Sequence, residues 1–253
     1  MLPMSVSKRA VSDTLLGAGF VAVEAHAVAG VEPQLRAFEL RREGIVASPL
    51  TATQQLYLAL RRPLEVSAVL VLAMVCIPIV AVMALAIKLE SPGGVFFRQE
   101  RVGKNGRHFT LYKLRTMHTS APAYSYKLPS AHPYITRVGR FLRRSGLDEV
   151  PQFWNVLKGD LSLIGPRPEM PFIVAEYDDW HHERHIVRPG ITGWWQVNNR
   201  NDEPMHEALS YDFYYLSKIG PVIDAVIVAR TFMVMLSGAL YGAYAGDRKR
   251  FDS

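Results

Sequence analysis

Along the chain, apolar and polar positions change rhythm several times, and each change marks an element. From Val66 to Ile87 no charged residue occurs. That run is about 22 residues, or roughly 33 Å as a helix, enough to cross a bilayer core. Pro78 lies inside it and predicts a kink or break, because proline removes a backbone donor and crowds the preceding turn. Beyond Glu90 the pattern shortens. Val95 to Val102 and His108 to Arg115 predict two strands joined through Gly103-Lys104-Asn105-Gly106, a hairpin turn signal. Lys113 and Arg115 stand two apart, so a strand would project them from one face. Residues 120–133 predict a loop. Arg137 to Arg144 predicts a short basic helix. A second helix is expected to start near Asp148, capped by Ser145 or Asp148, and to stop at Gly159. Pro221 to Leu240 is apolar with Asp224 and Arg230 inside, which suits an amphipathic interfacial helix.

Charge sharpens the membrane run. Arg61 and Arg62 precede it, and Lys88, Arg98, Arg101, Lys104 and Arg107 follow. Positive residues prefer the cytoplasmic side of a membrane. A helix that enters, turns at Pro78 and returns satisfies that preference at both ends, whereas a straight span satisfies it at one. Over all 253 residues the formal charge is +6, which favours anionic partners, including anionic membrane lipid. Nucleic acid is not expected, since no helix-turn-helix, zinc module or aromatic platform is present. The single cysteine, Cys76, excludes an internal disulfide framework. Near the N-terminus, Lys8 and Arg9 precede an apolar stretch that Glu24 and His26 interrupt, so no clean signal-peptide core remains.

Candidate chemistry gathers around Asp148 and Glu149. An acidic pair at a helix start is ordinarily a cap. Here Arg143 and Arg144 precede it, and Arg167 is held between Pro166 and Pro168. A carboxylate facing guanidinium groups stays ionised and can act as a nucleophile or a ligand for a hard cation such as Mg²⁺. His182-Glu183-Arg184-His185 is one residue short of the zinc-helix spacing, so on an α-helix its imidazoles would not share a face. Trp194-Trp195 suits core or membrane-interface packing better than a sugar platform.

Several motifs then occur in a fixed order: Ser91-Pro92-Gly93, Val95 to Gly103, Tyr112-Lys113-Leu114-Arg115-Thr116-Met117, Leu147 to Gln152, Asn155 to Asp160, Ser162 to Pro168, and Arg188 to Trp194. Together they resemble the bacterial sugar transferase family, the monotopic phosphoglycosyl transferases. The resemblance covers residues 62–244. It implies an α/β fold, mostly helical with a short β-hairpin: a small cytosolic catalytic domain on a re-entrant membrane helix hairpin with interfacial amphipathic helices. The organisation it suggests is an N-terminal extension at 1–60, the re-entrant helix at 61–90, the catalytic domain at 91–245 and a tail at 246–253. The larger members' multi-span N-terminal region is not expected here.

The implied activity is transfer of a phospho-sugar from a nucleotide diphosphate sugar, with uridine the family's usual base, to a polyprenyl phosphate such as undecaprenyl phosphate. It would be the first membrane step of exopolysaccharide or lipopolysaccharide synthesis, at the cytoplasmic face of the bacterial inner membrane. By resemblance Asp148 is the nucleophile, Glu149 its partner, and Mg²⁺ sits on Asp148. Lys113, Arg115, Arg143, Pro166, Arg167 and Pro168 bind substrate, and Pro78 breaks the membrane hairpin. Ile77 departs from the Ser often found before that proline. Two other readings use the same residues: a Mg²⁺-dependent nucleotide-sugar phosphohydrolase, and a non-enzymatic basic protein of the membrane surface. The sugar and the oligomeric state, a homo-oligomer among the options, are left open.

Overall fold

A computed structural model of the chain describes residues 50–121, 132–198 and 209–241, the last six as helix backbone. The N-terminal reading and most of the loop at 120–133 lie outside the described residues. The described part is mostly helical, with two small two-stranded sheets and one long apolar helix.

That helix, α1, runs from Ala52 to Glu90. It begins well before the apolar run because Thr51 and Gln54 form a capping box. Gln54 N donates to Thr51 Oγ1 at 3.2 Å, and Thr51 N donates to Gln54 Oε1 at 3.0 Å. The α-helix is continuous through Pro63 and Pro78, so neither proline ends it. The expected break at Pro78 is therefore not a change of secondary structure. A helix can absorb one missing donor when neighbouring turns keep their bonds.

α1 packs on the rest of the molecule near both ends. Tyr57 and Leu58 lie against a cluster of Ile164, Val187, Tyr215, Leu216, Ile219, Ile223 and Ile227. Val69 joins Leu111, Val156 and Leu161. Ile87 joins Leu114 and Leu142, with Val80 and Met83 packed beside them. Between these contacts the apolar side chains face outward. Leu70, Val71, Leu72, Met74, Val75 and Ile77 are exposed, Met74 to 71%.

β1 (Phe96–Val102) and β2 (His108–Leu114) pair antiparallel, with Phe97 opposite Lys113 and Val102 opposite His108. The hairpin is the expected one. Next come α2 (Arg137–Ser145), α3 (Gln152–Lys158), β3 (Ser162–Ile164), α4 (Pro171–Val174) and β4 (Gly190–Thr192). Short α5 (Trp194–Asn198), α6 (Ser210–Lys218) and α7 (Pro221–Tyr241) complete the order. β3 and β4 pair in parallel, Ser162 with Gly190 and Ile164 with Thr192, a contact the sequence did not suggest. It needs a glycine: a Cβ on Gly190 would stand 2.1 Å from the backbone nitrogen of Gly165.

Cap chemistry differs from expectation. Thr136 Oγ1 accepts from Gly139 N at 2.8 Å, and the Glu90 carboxylate accepts from Arg137 N and Val138 N at 2.6 and 2.9 Å. The end of α1 thus caps the start of α2. Neither Ser145 nor Asp148 caps α3. Ser145 Oγ instead donates back to the carbonyls of Phe141 and Leu142. Gly146 (φ 72°) turns the chain left-handed, and Leu147–Glu149 form a 3-10 turn ahead of α3.

Candidate active site

β2, the 3-10 turn and the segment after β3 converge on one acidic pair. The convergence is set by Asn155, fully buried on α3. Its side-chain oxygen accepts from Tyr112 N at 3.2 Å, and its Nδ2 donates to Thr110 O at 2.7 Å. These bonds fix α3 on the edge of β2 and bring Lys113 over the turn. Lys113 Nζ meets Glu149 Oε1 at 2.8 Å, and Arg167 Nη2 approaches the same oxygen at 3.7 Å. Beside this ion pair lies a narrow cleft whose lining includes Arg101, Lys113, Gln152, Arg167 and Pro168.

Asp148, half-buried in the same turn, is electrostatically different from its neighbour. Burial pushes its carboxyl up to about 6; Glu149 pushes the same way, while Lys113 and Arg143 pull it down. Near neutral pH it is ionised, with its proton affinity poised close by. Arg143 stands at the end of α2, its Nε donating to Thr116 Oγ1 at 3.0 Å. Of the predicted residues, Asp148, Glu149, Lys113, Arg143 and Arg167 are therefore brought together. Pro168 lines the cleft, and Pro166 contributes its carbonyl to Gly190 N at 2.8 Å.

Arg115 is the exception. β2 ends at Leu114, so the alternation of faces does not extend to it. Its guanidinium is buried, donating to Pro92 O at 2.7 Å and to Ser91 O at 2.8 Å. It pins the turn after α1 and does not reach the carboxylates. Pro78 is exposed on α1, remote from the acidic pair in sequence.

The histidines lie on a different kind of helix from the one their spacing suggests. Asp179–Ile186 is a 3-10 helix, in which positions i and i+3 eclipse. His182 and His185 therefore do share a face, with ring centroids 5.6 Å apart. No third acidic, imidazole or thiol ligand joins them among the described residues. Trp194 stacks on Tyr214 at 5.1 Å, with Arg230 over its ring, which agrees with a packing role.

Asn155, Arg184 and Asp212 carry structural roles that no sequence pattern assigns to them. Each is almost fully buried and polar, a rare state that marks a residue with specific partners. In the sequence they look like ordinary surface residues, because their partners are remote along the chain.

The family model described as bacterial sugar transferase matches residues 56–238. The chain is 38% identical over 190 residues to the UDP-N-acetylgalactosamine-undecaprenyl-phosphate N-acetylgalactosaminephosphotransferase of Aeromonas hydrophila, covering 72% of this chain and 45% of that protein. It is 39% identical over 169 residues to the UDP-glucose:undecaprenyl-phosphate glucose-1-phosphate transferase of Xanthomonas campestris pv. campestris, covering 63% and 35%. A transferase of the same name from Caulobacter vibrioides is 37% identical over 190 residues, covering 70% of each chain. The matched part thus spans less than half of the first two relatives and a larger share of the third.

Proposed function

The chain belongs to the bacterial sugar transferase family, and from that premise we propose that it moves a sugar phosphate from a UDP-sugar to undecaprenyl phosphate through a covalent intermediate on Asp148. One observation carries the reading. Glu149 is held by Lys113 and Arg167, while Asp148 feels Lys113 and Arg143 only through space. One carboxylate of the pair is thereby committed to organising cations, and the other is presented as a nucleophile.

In the first step an oxygen of Asp148 attacks the phosphorus that carries the sugar. The bond from that phosphorus to the bridging oxygen breaks, and the electron pair leaves with UMP. Next an oxygen of undecaprenyl phosphate attacks the same phosphorus. The aspartyl–phosphorus bond breaks, the carboxylate returns, and the sugar leaves on undecaprenyl diphosphate. No net proton is consumed. Lys113, Arg143 and Arg167 offset the repulsion between a carboxylate and a phosphate group, the main obstacle to attack. Glu149 keeps Lys113 and Arg167 aligned.

The donor set suits Mg²⁺, which usually takes one or two carboxylates and completes its shell with water and substrate phosphates. Asp148 would hold it, with Glu149 close by. Bound there, the ion would neutralise charge on the diphosphate.

The same reading sets α1 as a re-entrant membrane anchor at the cytoplasmic face of the inner membrane. Its support is that Val69 and Ile87 both pack on the domain while Leu70, Val71, Met74, Val75 and Ile77 between them are exposed. Val69 and Ile87 are about 27 Å apart along a straight helix axis. Leu111 and Leu114, in the corresponding clusters, are separated by only about 10 Å of strand.

The test is incubation with UDP-sugar labelled in the sugar. The expected result is a sugar-labelled protein adduct that undecaprenyl phosphate discharges and that Asp148→Asn does not form. UMP release without an adduct or any dependence on lipid phosphate would instead identify a hydrolase.

A further inference from the structure

The segment that carries Arg167 is held unusually tightly. Four successive carbonyls are engaged, each by a different donor. Gly190 N donates to Pro166 O at 2.8 Å and Val102 N to Glu169 O at 2.9 Å. Arg184 Nη2 donates to Arg167 O at 2.7 Å, and Arg101 Nη1 donates to Pro168 O at 3.0 Å. Pro166 and Pro168 have no N–H, which halves the backbone donors of the segment, and all four of its carbonyls are engaged.

Arg184 is the costliest of these donors. Its side chain is almost completely buried, as is that of its ion-pair partner, Asp212 on α6, with Nη2 and Oδ2 at 2.5 Å. Nη1 donates to the hydroxyl of Tyr177 at 2.9 Å. Taking two charges out of water costs several kcal/mol unless the geometry compensates, and apolar packing of the same volume is often no worse for stability. Stability alone therefore does not call for a guanidinium here. A planar fork does what an apolar side chain cannot: it engages Asp212, Tyr177 and the Arg167 carbonyl together. Nη1 is anchored on the Tyr177 hydroxyl, while Nη2 is shared between Asp212 on α6 and the carbonyl of Arg167, the residue whose side chain faces Glu149.

We infer that Arg184, anchored by Asp212 and Tyr177, is a positioning residue that aims Arg167 at the acidic pair. It touches no reacting atom, and it acts by fixing the Arg167 backbone, so that the guanidinium is already in place when the diphosphate arrives. The inference rests on the transferase reading for the meaning of an activity assay, and so the test carries a second readout that does not.

The experiment is a double-mutant cycle between Arg184→Lys and Arg167→Ala in the full chain. It is read in kcat/KM for sugar-phosphate transfer and in the Kd of UDP, with Tm recorded for each variant. Arg184→Lys keeps the charge but loses the fork. It is expected to lower kcat/KM about tenfold and weaken UDP, with KM for the lipid phosphate unchanged. In the Arg167→Ala background the same change should cost less than about twofold, because there is nothing left to aim. Losses that multiply in full would overturn the proposal and leave Arg184 a purely structural residue. Tyr177→Phe is the gentler second variant if Arg184→Lys does not fold. About a threefold loss that disappears in Arg167→Ala supports the inference, and an undiminished loss overturns it. A wild-type chain that binds UDP without transferring sugar phosphate would sink the transferase reading while the coupling in Kd still scores the positioning role. A chain that neither binds nor transfers sinks both.

Discussion

Two adjacent carboxylates, Asp148 and Glu149, are chemically alike and sit in one short turn, yet the fold gives them different surroundings. Glu149 is paired with a lysine 2.8 Å away, and Asp148 is pushed up to about 6 mainly by burial. If Asp148 is the nucleophile, kcat/KM should fall as pH drops through about 6. In Lys113→Ala that acidic limb should move to higher pH, because the lysine field pulls Asp148 down. A limb that stays in place when Lys113 is removed would deny Asp148 the role. Stability gives an independent check. The folded chain holds the Asp148 proton more tightly than an exposed carboxylate does. The stability this contributes is complete below the ordinary value of 3.8 and is lost as pH rises through about 6. Asp148→Asn cannot ionise and keeps it. With Mg²⁺ chelated, Asp148→Asn should melt a few degrees above wild type at pH 7.5, on the order of 1 kcal/mol, and level with it near pH 4.

Among the elements, α1 is tied to the rest of the domain by a buried polar network as well as by apolar packing. Arg61 reaches Asp224 on α7 at 2.6 Å, Tyr215 on α6 at 2.9 Å, Ser162 on β3 at 2.8 Å and Glu65 one turn on at 3.2 Å. Glu65 in turn accepts from Leu163 N at 3.2 Å and from Ser162 Oγ. The strand held this way leads directly into Gly165-Pro166-Arg167, so the first turns of α1 support the site. Arg61→Leu would leave two buried carboxylates short of their cation. It should destabilise the chain by ~3 kcal/mol, read as a loss of Tm of several degrees in detergent or nanodiscs. A loss below about 1 kcal/mol would show that the network is dispensable.

For the whole molecule, the question is where the exposed apolar stretch goes. Leu70, Val71, Met74, Val75 and Ile77 face outward on a helix long and apolar enough to enter a membrane. Ile77→Arg places a charge in that stretch, at a cost of roughly 2.5–3.5 kcal/mol at the bilayer centre. The variant should shift from the membrane pellet to the soluble fraction. Topology is read separately, with a cysteine placed ahead of α1 in a background where Cys76 is replaced. Re-entrance predicts that an impermeant thiol reagent labels it only from the cytoplasmic side, and labelling from the periplasm would establish a span.

Local events are legible in the sequence. Uninterrupted apolar residues mark the middle and end of α1, alternation and a glycine-rich turn mark the hairpin, and ordered motifs single out Asp148, Glu149, Lys113, Arg143 and Arg167. Those signals are short-range, carried by residues a few positions apart. What only the tertiary structure decided is everything that depends on a remote partner. The spacing of Arg115 from Lys113 suits one strand face, but the strand ends at Leu114 and the Arg115 side chain turns under Ser91 and Pro92. The expected cap of α3 at Ser145 or Asp148 does not form, because a left-handed Gly146 inserts a separate 3-10 turn, which no hydrophobic pattern encodes. Asn155 falls in an ordered motif, but its burial and that of Arg184 and Asp212 are not legible in the sequence, because a buried polar residue differs from an exposed one only through the partners that folding brings to it. Chain-local chemistry named the carboxylates; long-range hydrogen bonds to backbone acceptors decide how they and Arg167 are aimed.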